Sequence, residues 1–171
     1  MNNVPWFWPG VLVSLLVGVM LAIPLGHAFR VRPLLAAVLL VSFGSILAAT
    51  LTPLRDALES GAIGTGICDF SRVGPPPLEY LGYRNDVSLN IALFIPLGLG
   101  IGLVGNRRLT GILLLAAIAL PFVIETIQLL APVLARGCQS SDVIDNLIGL
   151  SIGLALGVCA RLLMRLLKRS S

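Results

Sequence analysis

The chain has 171 residues, of which 57% are hydrophobic and only 12% charged, and its mean hydropathy is +0.98. Soluble domains are typically about 25% charged, so this composition excludes an ordinary soluble domain and points to an integral membrane protein built as one bundle. The net charge of +4 does not indicate nucleic-acid binding, because the basic residues sit at the ends of apolar runs and not in a patch interleaved with aromatics.

Residues 1–9 carry no charged side chain and hold Trp6, Phe7 and Trp8 between Pro5 and Pro9. Trp favours the membrane interface, so this reads as an aromatic arm at headgroup level. Residues 10–29 form the first apolar run, long enough to span. Gly26-His27-Ala28 loosely mimics a signal-peptide cleavage site, but no basic segment precedes the run and Arg30 and Arg32 follow it. An uncleaved helix is the expectation. His27, the single histidine, reads as an interfacial residue beside Arg30. One His and scattered cysteines do not make a typical zinc site, and no metal or cofactor is expected.

Residues 34–54 form the second span, which Pro53 should stop, since proline also disfavours helical geometry at Thr52. Residues 55–84 are the longest polar segment. Gly61, Gly64, Gly66 and the run Gly74-Pro75-Pro76-Pro77 predict an irregular loop, with a short amphipathic helix near residues 54–59. The third span covers 87–104 and should kink at Pro96, and Arg107 and Arg108 follow it. The fourth covers 109–130, with Pro121 one turn before Glu125, and a short loop at 131–141 leads to the fifth at 143–160. The fold expected is an all-α integral membrane protein, a bundle of about five transmembrane helices with one long outer loop. The arm at 1–9 precedes a single transmembrane domain at 10–160, and a basic cytoplasmic tail occupies 161–171.

Charge bias orients the bundle. With the N-terminus outside, the inner segments hold Arg30, Arg32, Arg107, Arg108 and the tail residues Arg161, Arg165, Lys168 and Arg169. The outer segments hold Arg55, Arg72, Arg84 and Arg136, and the long outer loop adds five acids counting Asp86. The positive-inside rule then places the N-terminus outside and the C-terminus in the cytoplasm of a cell whose inner (cytoplasmic) membrane holds the protein.

In this orientation the unusual polar residues converge on the outer side. Asp86 and Asn90 open the third span, Glu125 and Gln128 close the fourth, and Asp142, Asp145 and Asn146 open the fifth, with Arg136 in the loop between. A carboxylate deep in a membrane helix costs about 2.5–3.5 kcal/mol on insertion scales, so such residues are usually paired or functional. Asp86 with Asn90, and Asp142 with Asn146, are four apart, while Glu125 and Gln128 are three apart, so each pair shares a helix face. Helix capping by the aspartates and structural pairing are the plain alternatives to a functional site. Arg136, whose planar fork can hold two carboxylate oxygens, is expected to offset the acids. Glycines at 98, 100 and 102 and at 149, 153 and 157 are read as helix-packing positions. Cys68 and Cys138 both fall on the expected outer side, where a disulfide is permitted. Such a bond would tie the long loop over the polar residues, the alternative being two thiols. Cys159 near the inner end should stay a thiol.

The run Asp86-x-x-x-Asn90-x-x-x-Phe94-x-Pro96-x-Gly98, followed by Glu125-x-x-Gln128, an Arg, and Asp142-x-x-x-Asn146-x-x-Gly149, resembles the VanZ-like family. The Thr52-Pro53 end of the second span is similar too. Each piece is short, but their order and spacing over about residues 40–158 are specific. The resemblance implies a small bacterial membrane protein with an envelope role. The family's namesake is associated with low-level resistance to the lipoglycopeptide teicoplanin. The segment Gly137-Cys138-Gln139 and the long Cys-containing loop depart from the family pattern.

Two classes of function stay open at this point. One is a non-enzymatic membrane protein whose outer polar cleft binds a lipid headgroup, a lipid-linked cell-wall precursor or an amphiphilic drug such as a lipoglycopeptide. The other is a membrane enzyme or transporter acting on a lipid-linked phosphate or glycan, with the carboxylates as acid and base or as oxygen ligands of a divalent cation. Membrane lipids are the expected partners in either case. No Ser-His-Asp or Cys-His set supports covalent catalysis.

Overall fold

A computed structural model describes residues 4–77, 79 and 86–168; Arg84 and Arg169 of the charge count lie outside them. Among the described residues the regular structure is α-helical apart from one short 3-10 turn at Pro132–Leu134 and one two-stranded ribbon. Five helices are long and apolar enough to cross a membrane: α1 (Phe7–Phe29), α2 (Pro33–Thr50), α4 (Asp86–Leu103), α5 (Arg107–Leu130) and α6 (Ser140–Leu167). The short helix α3 (Arg55–Ser60) follows α2. The helices carry large apolar side chains on their outer faces, such as Met20, Leu115 and Leu156, all exposed. That is the surface a bilayer, not water, would cover.

Helix boundaries differ from the sequence expectation in several places. The helix α1 begins at Phe7, not after Pro9, because proline is tolerated in a first helical turn. Phe7 of the supposed interfacial arm is buried, while Trp6 and Trp8 stay exposed. The helix α2 ends at Thr50, three residues before Pro53. The helix α6 continues through the supposed basic tail to Leu167. The helices α4 and α5 run on through Pro96 and Pro121.

Packing follows the small residues. The helices α4 and α6 make the most extensive contact, and α1 lies along α2, which in turn touches α4. A β-carbon on Gly98, Gly149, Gly153 or Gly157 would run into main-chain atoms of the facing helix. Only glycine permits that approach, which is how membrane helices without a hydrophobic driving force gain contact. Phe94, Ile46, Ile101, Ile124 and Leu150 fill the interior between α2, α4, α5 and α6.

The loop after α2 is less irregular than its composition suggests. Cys68–Asp69 (β1) pairs in parallel with Cys138–Gln139 (β2), with Cys68 opposite Cys138, and the two cysteines are joined by a disulfide. Closing 70 residues contributes about 4 kcal/mol in the chain-entropy description. Gly64 is pressed against the main chain of Arg136, where a β-carbon would lie 2.5 Å from the carbonyl oxygen. Its N–H donates to the Pro132 carbonyl at 2.7 Å. Cys159 is a free, exposed thiol.

Candidate functional site

The site is assembled where α1, α4 and α6 begin and α2 and α5 end. A helix that stops leaves carbonyls without intrahelical donors. In α2 the Ala49 carbonyl would normally accept from residue 53, but Pro53 has no N–H. Arg136 takes that place, with Nη2 donating to the Ala49 oxygen at 2.6 Å and Nε donating to the Thr52 oxygen at 2.9 Å. The Thr50 carbonyl, whose expected donor Leu54 instead donates to the Leu134 carbonyl, accepts from Gln128 Nε2 at 2.9 Å. One guanidinium and one carboxamide therefore finish α2, and the cation sits at the negative end of its dipole.

This corrects the expectation for Arg136. Its fork holds main-chain carbonyls and not carboxylates, and among the described residues no ion pair within 4 Å involves it. Glu125 and Asp142 remain its electrostatic neighbours; burial pulls the Arg136 pKa down to about 10 against their opposing pull. At neutral pH the group stays charged. Ala135, in the left-handed region with φ of 53°, makes the turn that delivers it.

Glu125 is buried, and its Oε2 accepts a hydrogen bond from the Gln139 N–H at 2.7 Å. The strand β2 thus docks on the end of α5 through one carboxylate oxygen. Asp142 lies in the first turn of α6 beside the Asn90 side chain, with Asp86 and Asp145 as nearby like charges. Asn146, one turn on, is 1% exposed, and its Oδ1 is buried without a hydrogen-bond partner among the described residues.

These groups share a cavity of about 290 Å³. Asp86 and Asn90 of α4, Glu125 and Gln128 of α5, Asp142 and Asn146 of α6, and Arg136 all line it. Val4, Phe7, Leu89 and Leu93 supply apolar wall. The three helix-face pairs read from spacing therefore point into one space.

Asp145 does not. It is fully buried on another side of α6, where its Oδ2 meets Arg72 Nη2 at 2.5 Å. Arg72 also donates to the Gly74 and Ser141 carbonyls, and the Ser140 hydroxyl donates to the Arg72 carbonyl. The long loop is thereby pinned to the start of α6. Among the described residues none from 61 to 77 lines the cavity. The loop buttresses β2 and α6 from behind. No sequence pattern marked Arg72 as the partner of Asp145, because the two are 73 positions apart and only the folded loop joins them.

Three acids against one cation leave the cavity acidic. Its side chains are suited to accept hydrogen bonds from hydroxyl or ammonium groups.

Five spanning helices around a polar cavity define a multi-pass all-α membrane protein. The chain belongs to the VanZ/LLP1 family, whose family model matches residues 12–164. No curated protein and no solved structure matches it.

Proposed function

We propose that this VanZ-family protein uses the acidic cavity to bind the polar part of an amphiphile at the outer face of a bacterial cytoplasmic membrane. The candidates are a lipid-linked cell-wall precursor or a lipoglycopeptide of the teicoplanin type. The single observation that carries the reading is the convergence of Glu125, Asp142 and Asp86 on one space. Such a set favours sugars and amines over a bare phosphate, which the carboxylates would repel. The apolar wall contributed by Phe7, Leu89 and Leu93 suits the start of a lipid chain. The outer location is supported by the charge bias along the chain.

Glu125→Gln tests it. The amide keeps an oxygen for the Gln139 N–H, so the unfolding temperature should change little, while the charge is lost. Purified protein in neutral nanodiscs should bind teicoplanin or a lipid-linked cell-wall precursor. Glu125→Gln combined with Asp142→Asn should weaken that binding at least about tenfold, the scale of removing charged hydrogen-bond acceptors. Equal binding by wild type and variant would refute the cavity as the site.

An enzymatic reading is favoured by one feature. Glu125 and Asp142 are electrostatic neighbours in the same cavity, as an acid and base pair must be. Turnover of a lipid-linked glycan or phosphate in liposomes, abolished in either single variant, would establish it over simple binding.

A further inference from the structure

At the other end of the bundle a second cavity, of about 600 Å³, is formed by the α1–α2 turn, the α4–α5 turn and the last turns of α6. Arg30, Arg32, Arg161, Arg165 and Lys168 line it, and among the described residues no acidic side chain does. Cations scattered around a bundle rim are ordinary, since each reaches headgroup level alone. These five converge on one space instead, while Arg107 and Arg108 at the same end stay out of it.

The surrounding backbone holds the cations in place. Arg30 closes α1 in the left-handed region with φ of 54°, a position that glycine adopts at less cost. Its N–H donates to the His27 carbonyl and that of Val31 donates to the Gly26 carbonyl, so the turn presenting Arg30 and Arg32 is tight. Arg161 donates through Nη1 to the Val104 carbonyl, just past the end of α4. Its Nε is buried and lacks an acceptor among the described residues. Five like charges around one space repel, and an anionic oxygen at the centre would offset that repulsion. Leu35, Leu103 and Met164 border the same space, so the group beside the anion is apolar.

We propose that this cavity binds the phosphate of an anionic phospholipid, with the acyl chains lying against Leu35, Leu103 and Met164. The chemistry recognised is a phosphate mono- or diester held by several guanidinium forks. The binding is separate from that proposed for the acidic cavity, because the two share no residue.

The test uses the full chain in nanodiscs that mix phosphatidylcholine with phosphatidylglycerol or cardiolipin, and native mass spectrometry reads the lipid retained after release. Wild type should keep the anionic lipid over phosphatidylcholine. Arg32→Gln with Arg165→Gln should lower retention about thirtyfold, the loss that two cations near a surface phosphate contribute. Arg107→Gln with Arg108→Gln removes the same charge from the same end outside the cavity and should leave retention unchanged. If both pairs lower retention alike, the attraction is diffuse and the proposal fails. It also fails if wild type shows no preference for the anionic lipid. Glycerol phosphate is the competing soluble probe: displacement of the lipid at comparable concentration would assign the site to free phosphate and overturn the lipid assignment. Should the double variant not assemble, Arg165→Gln alone, on an exposed side chain, makes the same comparison with about a fivefold loss.

Discussion

Asp145 shows how a buried charge depends on what the fold places beside it. The carboxylate is fully buried and Arg72 is about a quarter exposed. Removing Arg72 would leave an uncompensated charge in the interior, so Arg72→Ala should cost about 3–5 kcal/mol. Replacing both partners, Arg72→Met with Asp145→Leu, should recover most of that loss. Chemical unfolding of the three proteins in detergent checks this; a double variant no better than Arg72→Ala alone would show that the pair is not the source of the cost. Arg136 belongs to the same scale. Lysine offers a point charge in place of a planar fork and can reach only one of the Ala49 and Thr52 carbonyls. Arg136→Lys should therefore lower stability by about 1–3 kcal/mol, the penalty of a stranded buried acceptor. A melting curve identical to wild type would mean that the end of α2 does not depend on the fork.

At the level of elements, glycine has two opposite effects in this chain. In α6, a β-carbon on Gly153 would meet the main chain of α4 at Ile95 and Leu99. Gly153→Ala must push the helices apart and should cost about 1–3 kcal/mol. In α5, Gly111 has nothing within 4 Å of the same position. Gly111→Ala should stabilise by about 0.5–1 kcal/mol, because alanine loses less conformational freedom in a helix. Thermal unfolding of both variants gives the comparison, and a shift of the same sign for both would break the account of α4–α6 packing. Several tertiary ties between elements gather at the end that holds the acidic cavity. The disulfide and the Arg72 contacts hold the loop to α6, Glu125 holds β2 to α5, and Arg136 and Gln128 hold α2 to the segments after it.

For the whole molecule, the two ends differ in charge. The described residues place Arg30, Arg32, Arg107, Arg108, Arg161, Arg165 and Lys168 at one end, and Arg55, Arg72 and Arg136 at the other. The proposed outer location of the acidic cavity rests on the positive-inside rule applied to this bias. A reporter fused after Ser171 should be active only as a cytoplasmic type, and one inserted between Gly61 and Gly74 only as an external type. The reverse pattern would turn the acidic cavity to the cytoplasm and remove the envelope-facing function.

The membrane class, the five spans and the faces of the polar pairs were legible in the chain, because each rests on local periodicity. Apolar runs of spanning length need no partner to be recognised, and residues three or four apart share a helix face whatever lies opposite. So Asp86 with Asn90, Glu125 with Gln128, and Asp142 with Asn146 could be paired before the fold was known. Asp145, three residues after Asp142, groups with the same site by spacing, which cannot say that it meets Arg72 instead. Only the tertiary structure joined Asp145 to Arg72 and gave the end of α2 its donors from Arg136 and Gln128. The Cys68–Cys138 bond is a candidate from the chain, but the parallel ribbon that carries it came only with the fold. Those contacts span 70 to 87 positions, and most of them bring in a residue from a loop with no period of its own. Spacing carries no signal for them; they exist because α2 ends before a proline and α6 begins with a buried acid, and each needs a partner that the chain can reach only once the helices are packed.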